Sequence, residues 1–194
     1  AAAANMNMLR VWGGGLYESD LFYEACDRSG ILVWQDMAFA CGMFPSDSVY
    51  LAGVAAEVRD NVRRLRNHPS LALWCGNNEN EISYYAWGWN RTLTKEQQTD
   101  YENGVRRLFY EVIPEAVAAE DPGRYYHPTS PSTGYNGIPY SEGDAHFWSV
   151  WKGGVVDEYL RPDHIARFMS EYGFQSYPCL ETIEGFTSPG DRYV

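Results

Sequence analysis

Two runs constrain this chain more than anything else in it. Ile31-Leu32-Val33-Trp34 and Leu71-Ala72-Leu73-Trp74-Cys75 are wholly apolar, and each breaks abruptly into polar residues. Gln35-Asp36 follows the first, and Gly76-Asn77-Asn78-Glu79-Asn80-Glu81 follows the second. A strand with one wet face alternates apolar and polar residues. An unbroken apolar run of this length fits a strand covered on both faces, the habit of parallel sheets.

The segments between such runs read as helices. Ser19 can cap a helix with Leu21, Phe22, Ala25 and Cys26 on one face, and Gly30 stands where a helix C-cap is expected. Val54, Val58, Val62 and Leu65 keep helical step. Thr94 and Gln97 form a capping box ahead of Tyr101, Val105, Leu108, Phe109 and Val112, and Pro114 interrupts that helix. Further strands are expected at 7–12, 125–128, 145–150 and 165–169, the last running into Ser170-Glu171.

Strands alternating with helices predict a parallel sheet and point to a (β/α)8 TIM barrel. That barrel needs eight strands and about 250 residues. About six strands are legible in these 194 residues, so the expectation is an incomplete barrel lacking one strand before Ala1 and another after Val194. An open barrel would leave two unpaired edges.

Charge and composition narrow the partners. Lys and Arg number 15 against 26 Asp and Glu, a net charge of −11, which disfavours nucleic acid and anionic membrane surfaces. No apolar stretch approaches a membrane span. Seven Trp, 15 Tyr and 8 Phe exclude a disordered chain and suit a site that stacks flat ligands such as sugars. Cys26, Cys41, Cys75 and Cys179 lack C-x-x-C spacing, so they predict buried free thiols rather than a disulfide framework or zinc site.

A (β/α) barrel carries its chemistry at the C-terminal ends of the strands. Two carboxylates fall there: Glu79 after the strand at 71–75, and Glu171 at the end of the last strand. Glycoside hydrolysis needs one carboxylic acid and one nucleophile or base. Read alone, Glu79 is more commonly a solvated loop residue, and Glu171 equally the partner of Arg10 or Arg167 in an ion pair. Apolar walls such as Trp74 and Trp87 would raise the Glu79 pKa toward that of a general acid. Trp12, Trp148 and Trp151 lie at or near strand ends and suit a sugar platform, whereas Trp34 and Trp74 suit the core. Glycines 13 to 15 would let a ligand or loop approach closely. Asp144, His146 and Trp148 share a sixth rim position. His127 and His146 lack the spacing of metal motifs.

The strings Arg10-Val11-Trp12-Gly13-Gly14-Gly15, Val33-Trp34-Gln35-Asp36-Met37, His68-Pro69-Ser70 through Asn80, and Ser170-Glu171-Tyr172-Gly173-Phe174-Gln175-Ser176 together resemble the β-mannosidases of glycoside hydrolase family 2. The resemblance implies residues 1–194 are part of the catalytic barrel of a larger multidomain glycosidase, equivalent to strands two to seven. It implies removal of terminal non-reducing β-D-mannose with retention, without metal or organic cofactor. By motif position, Glu79 would be the acid/base and Glu171 the nucleophile. Asn78 would contact the sugar 2-hydroxyl, and Trp12 would wall the terminal-mannose subsite. Asp144, His146 and Trp148 would line the same pocket. The substrate would be a β-mannoside oligosaccharide or glycoside, and β-sandwich domains elsewhere in the parent chain would pack against the barrel. Without those domains the fragment is not expected to be reliably active. The competing readings are a β-galactosidase or β-glucuronidase of the same family, a non-catalytic carbohydrate-binding barrel, and a metal-dependent barrel hydrolase.

Overall fold

The computed structural model describes residues 1–135, 137 and 141–193. All six expected strands are present. They are β1 (Met8–Val11), β2 (Leu32–Asp36), β3 (Leu71–Cys75), β4 (Tyr125–His127), β5 (Asp144–Phe147) and β6 (Phe168–Tyr172). The helices between them are α1 (Asp20–Ser29), α2 (Ser48–Leu65), α3 (Asn80–Tyr85), α4 (Lys95–Arg107) and α5 (Ile113–Glu120), with α6 (Leu180–Phe186) after β6. No helix among the described residues is long and apolar enough to cross a membrane.

The strands are parallel, as expected, but they do not close. β1 to β4 form one four-stranded sheet in chain order, and β5 with β6 form a second, two-stranded sheet. The expected barrel is therefore represented by two small open parallel sheets among the described residues. Ser132 N and Thr133 N both donate to Asp144 O at 3.2 Å, which sets the start of β5 beside the segment that follows β4.

The strand side chains divide between the core and the site, and a register shift between Val33 and Trp34 interrupts the simple alternation of β3 against β2. Val33, Leu71 and Trp74 join a core with Val54, Val58, Val62 and Leu65 of α2. The Trp74 indole N–H donates to Asp121 at 3.0 Å. Trp34 is also buried, yet it lies outside that core cluster. Its ring meets His127 and Phe168 and lies under the Arg10 guanidinium. Both tryptophans assigned to the core by sequence are buried, and Trp34 supports the site as well.

Local signals held unevenly. Gly30 caps α1 with φ +64°, but the Ser19 side chain makes no capping bond. The Thr94–Gln97 capping box forms in full. Pro114 marks an interruption of the regular helix, as expected. A π-type turn at Leu108–Val112 widens the ladder ahead of it, and the proline sits in the first turn of α5, where its missing N–H is not needed. Cys26 and Cys75 are buried, whereas Cys41 and Cys179 are exposed, against the expectation of four buried thiols.

Candidate active site

The site begins with a turn. β3 runs straight into Gly76-Asn77-Asn78-Glu79, and Glu79 adopts φ +61°, a left-handed conformation rare for a residue with a side chain. The neighbouring amides hold it there. Asn77 Nδ2 donates to Pro128 O at 3.0 Å, and Asn80 Nδ2 donates to Gly42 O at 2.7 Å. Backbone bonds Asn78 N to Phe39 O (2.9 Å) and Glu79 N to Ser130 O (2.7 Å) complete the clamp. Asn77 and Asn80 are therefore buried structural groups rather than ligand-facing ones.

From the opposite end of the fold, β6 supplies Glu171. The strand runs to Tyr172, so Glu171 stands at its end, as expected. Ala145 pairs with Met169 while His146 pairs with Glu171, so one step on β5 faces two on β6. This bulge, which carries Ser170 as the extra residue, brings His146 and Glu171 side by side.

His146 stands between the two carboxylates. Its Nδ1 lies 2.8 Å from Glu79 Oε1 and 3.4 Å from Glu171 Oε2. One ligand atom from each of Glu79, His146 and Glu171 falls within 4.8 Å of the others. Three such atoms could chelate a cation, but all are already engaged in hydrogen bonds and the Arg10 charge stands beside them, which disfavours a metal.

Arg10 ties the site to β1. Its Nη1 donates to Glu171 Oε1 at 3.0 Å, and its Nη2 donates to Asn78 Oδ1 at 2.8 Å. Nε and Nη2 grip the Asp36 carboxylate at 3.2 and 2.8 Å. Asp36 also accepts from the Trp34 indole (2.7 Å) and Gly13 N (3.0 Å). A side chain on Gly13 would collide with the carbonyls of Met37 and Phe39, so it is a loop that approaches there. Burial works against the Arg10 charge, but Asp36 and Glu171 more than offset it and raise its pKa. The ion pair foreseen for Glu171 is the one with Arg10.

The remaining contacts define a cleft of about 480 Å³. Glu79 and Glu171 open into it beside Asn78, with Trp12, Trp148 and Tyr172 as aromatic walls. The Trp148 indole N–H donates to Glu171 Oε2 at 3.0 Å. Trp151 does not line the cleft; it packs edge-on against Trp148. Asp144 and His146 also do not line it, contrary to expectation: their side chains are each about 2 % exposed. Asp144 lies beneath, accepting from His127 Nε2 (2.7 Å), Ser130 Oγ (2.7 Å) and Ser132 N (2.8 Å), and from Ser170. Ser130 Oγ in turn lies 3.0 Å from His146 Nε2. Burial pushes the Asp144 carboxyl up, yet the His127 bond and charge and the two serines hold it well below the usual carboxylate range.

Glu79 behaves differently from the sequence expectation. Burial raises its pKa, but the hydrogen bond and charge of His146, the Cys41 thiol and the Arg10 charge outweigh that and lower it. Trp74 belongs to the core, and Trp87 is half exposed, so neither supplies the apolar wall expected of it. Sequence reasoning also passed over Cys41, whose Sγ lies 3.4 Å from Glu79 Oε2, and the cleft residue Tyr172. No motif spacing marks Cys41; its approach depends on a loop conformation.

Fold and cleft together define a parallel α/β chain carrying a paired-carboxylate site. No family model matches it. Over nearly its whole length, however, the chain is similar to a segment of the β-mannosidases. It is 42 % identical to Bos taurus β-mannosidase over 97 % of this chain and 22 % of that protein. The crystal structure of β-D-mannosidase from Dictyoglomus thermophilum superposes with a TM-score of 0.85 at 43 % identity, covering 99 % of this chain and 23 % of that one. Bacteroides uniformis β-glucuronidase 2 shares the fold at a TM-score of 0.57 and 20 % identity, over 81 % of this chain and 20 % of that one. The chain spans less than a quarter of the length of the curated β-mannosidases it matches.

Proposed function

We propose that this chain forms the catalytic-centre portion of a retaining exo-β-mannosidase, a (β/α)8 barrel enzyme in which β1 to β6 are strands two to seven. The observation that carries this reading is the pairing of Glu79 and Glu171 in one cleft, with an oxygen of each and the His146 nitrogen within 4.8 Å. That closeness suits the roughly 5–5.5 Å carboxyl spacing of retaining glycosidases.

In this reading Glu171 attacks the anomeric carbon while Glu79 protonates the departing glycosidic oxygen. Glu79 then removes a proton from the water that releases mannose from Glu171. Arg10 and the Trp148 N–H hold and aim Glu171. A sugar in the cleft excludes water from Glu79 and strengthens the burial effect, which favours its protonated form. The Asn78 amide, fixed by Arg10, offers its N–H2 to the sugar 2-hydroxyl, and Trp12 and Trp148 flank the ring. Exposed apolar side chains near the C-terminus, among them Phe174, Tyr177 and Phe186, suit packing against other parts of the parent chain.

Aryl glycosides tested on the full-length protein discriminate the readings. Hydrolysis of the β-mannoside, undiminished by chelator, is expected. Turnover of only the galactoside or glucuronide would reassign the substrate. Loss of activity in chelator would favour a metal-dependent hydrolase, and binding without turnover a carbohydrate-binding protein.

A further inference from the structure

We infer that Cys41 is a positioning residue for the acid/base, its thiol hydrogen-bonding the one oxygen of Glu79 that carries the transferable proton. The inference rests on the acid/base reading of Glu79 given above.

A guanidinium has only donors, and Arg10 Nη1 faces His146 Nε2 at 3.3 Å, with Ser130 Oγ 3.0 Å from the same nitrogen. A carboxylate has only acceptors, so against ionised Glu79 the hydrogen of the 2.8 Å contact lies on His146 Nδ1 and Oε1 accepts it. Oε1 is engaged in that bond, which leaves Oε2 as the oxygen that exchanges a proton.

Oε2 faces Cys41, with Sγ at 3.4 Å. A thiol is a weak donor whose sulfur is also a weak acceptor. It can donate to the carboxylate and turn to accept from the carboxylic acid, so it accommodates both halves of the cycle. Cys41 is held for this contact. Its backbone takes φ +44°, and its N–H donates to Asn78 O at 2.9 Å. Asn78 Nδ2 approaches Sγ at 3.8 Å. Two side-chain-bearing residues in left-handed backbone thus face each other across the catalytic carboxyl, a placement that persists only where surrounding contacts enforce it. Burial and Glu79 push the Cys41 thiol up to about 11, so it is the S–H form that faces Glu79 at neutral pH.

In the first half-reaction the Oε2 hydrogen passes to the glycosidic oxygen as the C1–O bond breaks and the Glu171–C1 bond forms. Glu79 is left as carboxylate and the thiol donates to it. In the second half-reaction water gives its proton to Oε2 as its oxygen bonds C1 and Glu171 departs. The charged or titratable groups facing Glu79 are His146 from β5, Arg10 from β1, Cys41 from the loop after β2, and Glu171 from β6 through the shared His146.

The test is the pH profile of kcat/KM for an unactivated β-mannoside on the full-length enzyme. Its alkaline limb reports loss of the Glu79 proton. Cys41 stabilises the ionised form, so Cys41→Ala moves the limb up by about 0.5 pH unit. Cys41→Ser, which keeps a donor, leaves it at or below the wild-type position. An unmoved limb in Cys41→Ala, or an equal upward move in both variants, overturns the inference even if activity falls. Should Cys41→Ala fail to fold, the S–H stretching band missing from Cys41→Ser must shift as Glu79 titrates; a fixed band overturns it. Glu79→Gln separates the two levels. If it leaves the limb in place, the acid/base reading itself fails. If it removes the limb while the Cys41 variants leave it unmoved, only the role of Cys41 fails.

Discussion

Arg10 Nη1 donates to Glu171 Oε1 at 3.0 Å although the two residues are 161 positions apart, one on β1 and the other on β6. The same guanidinium holds Asp36 and Asn78, so one side chain fixes Glu171 against the segment that presents Glu79. Replacing Arg10 with Gln removes the charge and the fork geometry together. A fall in kcat/KM of about a hundredfold or more is expected. Steady-state kinetics on the whole protein, with circular dichroism to confirm folding, check it; a loss under threefold would show that the contact is dispensable.

Trp148 serves Glu171 in a second way, through its indole N–H to Oε2 at 3.0 Å. Trp148→Phe keeps an aromatic wall and deletes that donor. Activity is expected to fall about tenfold or more, the worth of one hydrogen bond to a charged group. Kinetics at fixed pH decide this, and an effect confined to KM would make Trp148 a wall alone.

Much of this site was legible because chemistry and chain order coincide. The apolar runs 31–34 and 71–75 give way to polar residues that are themselves buried and hydrogen-bonded around the cleft, Asp36 and Asn78 among them. Glu79, Glu171, Trp12, Asn78 and Trp148 could be placed at the rim from strand ends and motifs. Asp144 and His146 were drawn to the right region at the wrong depth. Spacing shows which strand end a residue occupies, but not that Ser130 and Ser170 would draw Asp144 beneath the cleft. The bulge at Ser170 and the left-handed backbone of Cys41 and Glu79 leave no residue-type signature, so the His146 bridge and the Cys41 contact emerge only in three dimensions. The lowered Glu79 pKa follows from that same bridge.

Asp144 gives a prediction about stability. Its folded carboxyl lies well below the unfolded value, so the unfolded state binds the proton first. The stabilisation is complete above the unfolded pKa of about 4 and is lost as pH falls from there toward the folded value. Asp144→Asn removes charged acceptors from His127, Ser130 and Ser170 and is expected to cost about 2–4 kcal/mol at neutral pH. The gap in melting temperature between wild type and variant should narrow below pH 4. A gap independent of pH would mean that the carboxylate charge adds nothing.

The central claim is that Glu171 becomes the glycosylated residue and Glu79 does not. Incubating the full-length enzyme with a 2-deoxy-2-fluoro-β-mannosyl fluoride, which slows release of a covalent intermediate, tests it most directly. The predicted result is one added fluoromannosyl mass per chain, mapped by peptide mass spectrometry to Glu171 and absent from Glu171→Gln. An adduct on Glu79, or turnover of β-mannosides with inverted product and no adduct, would contradict the account.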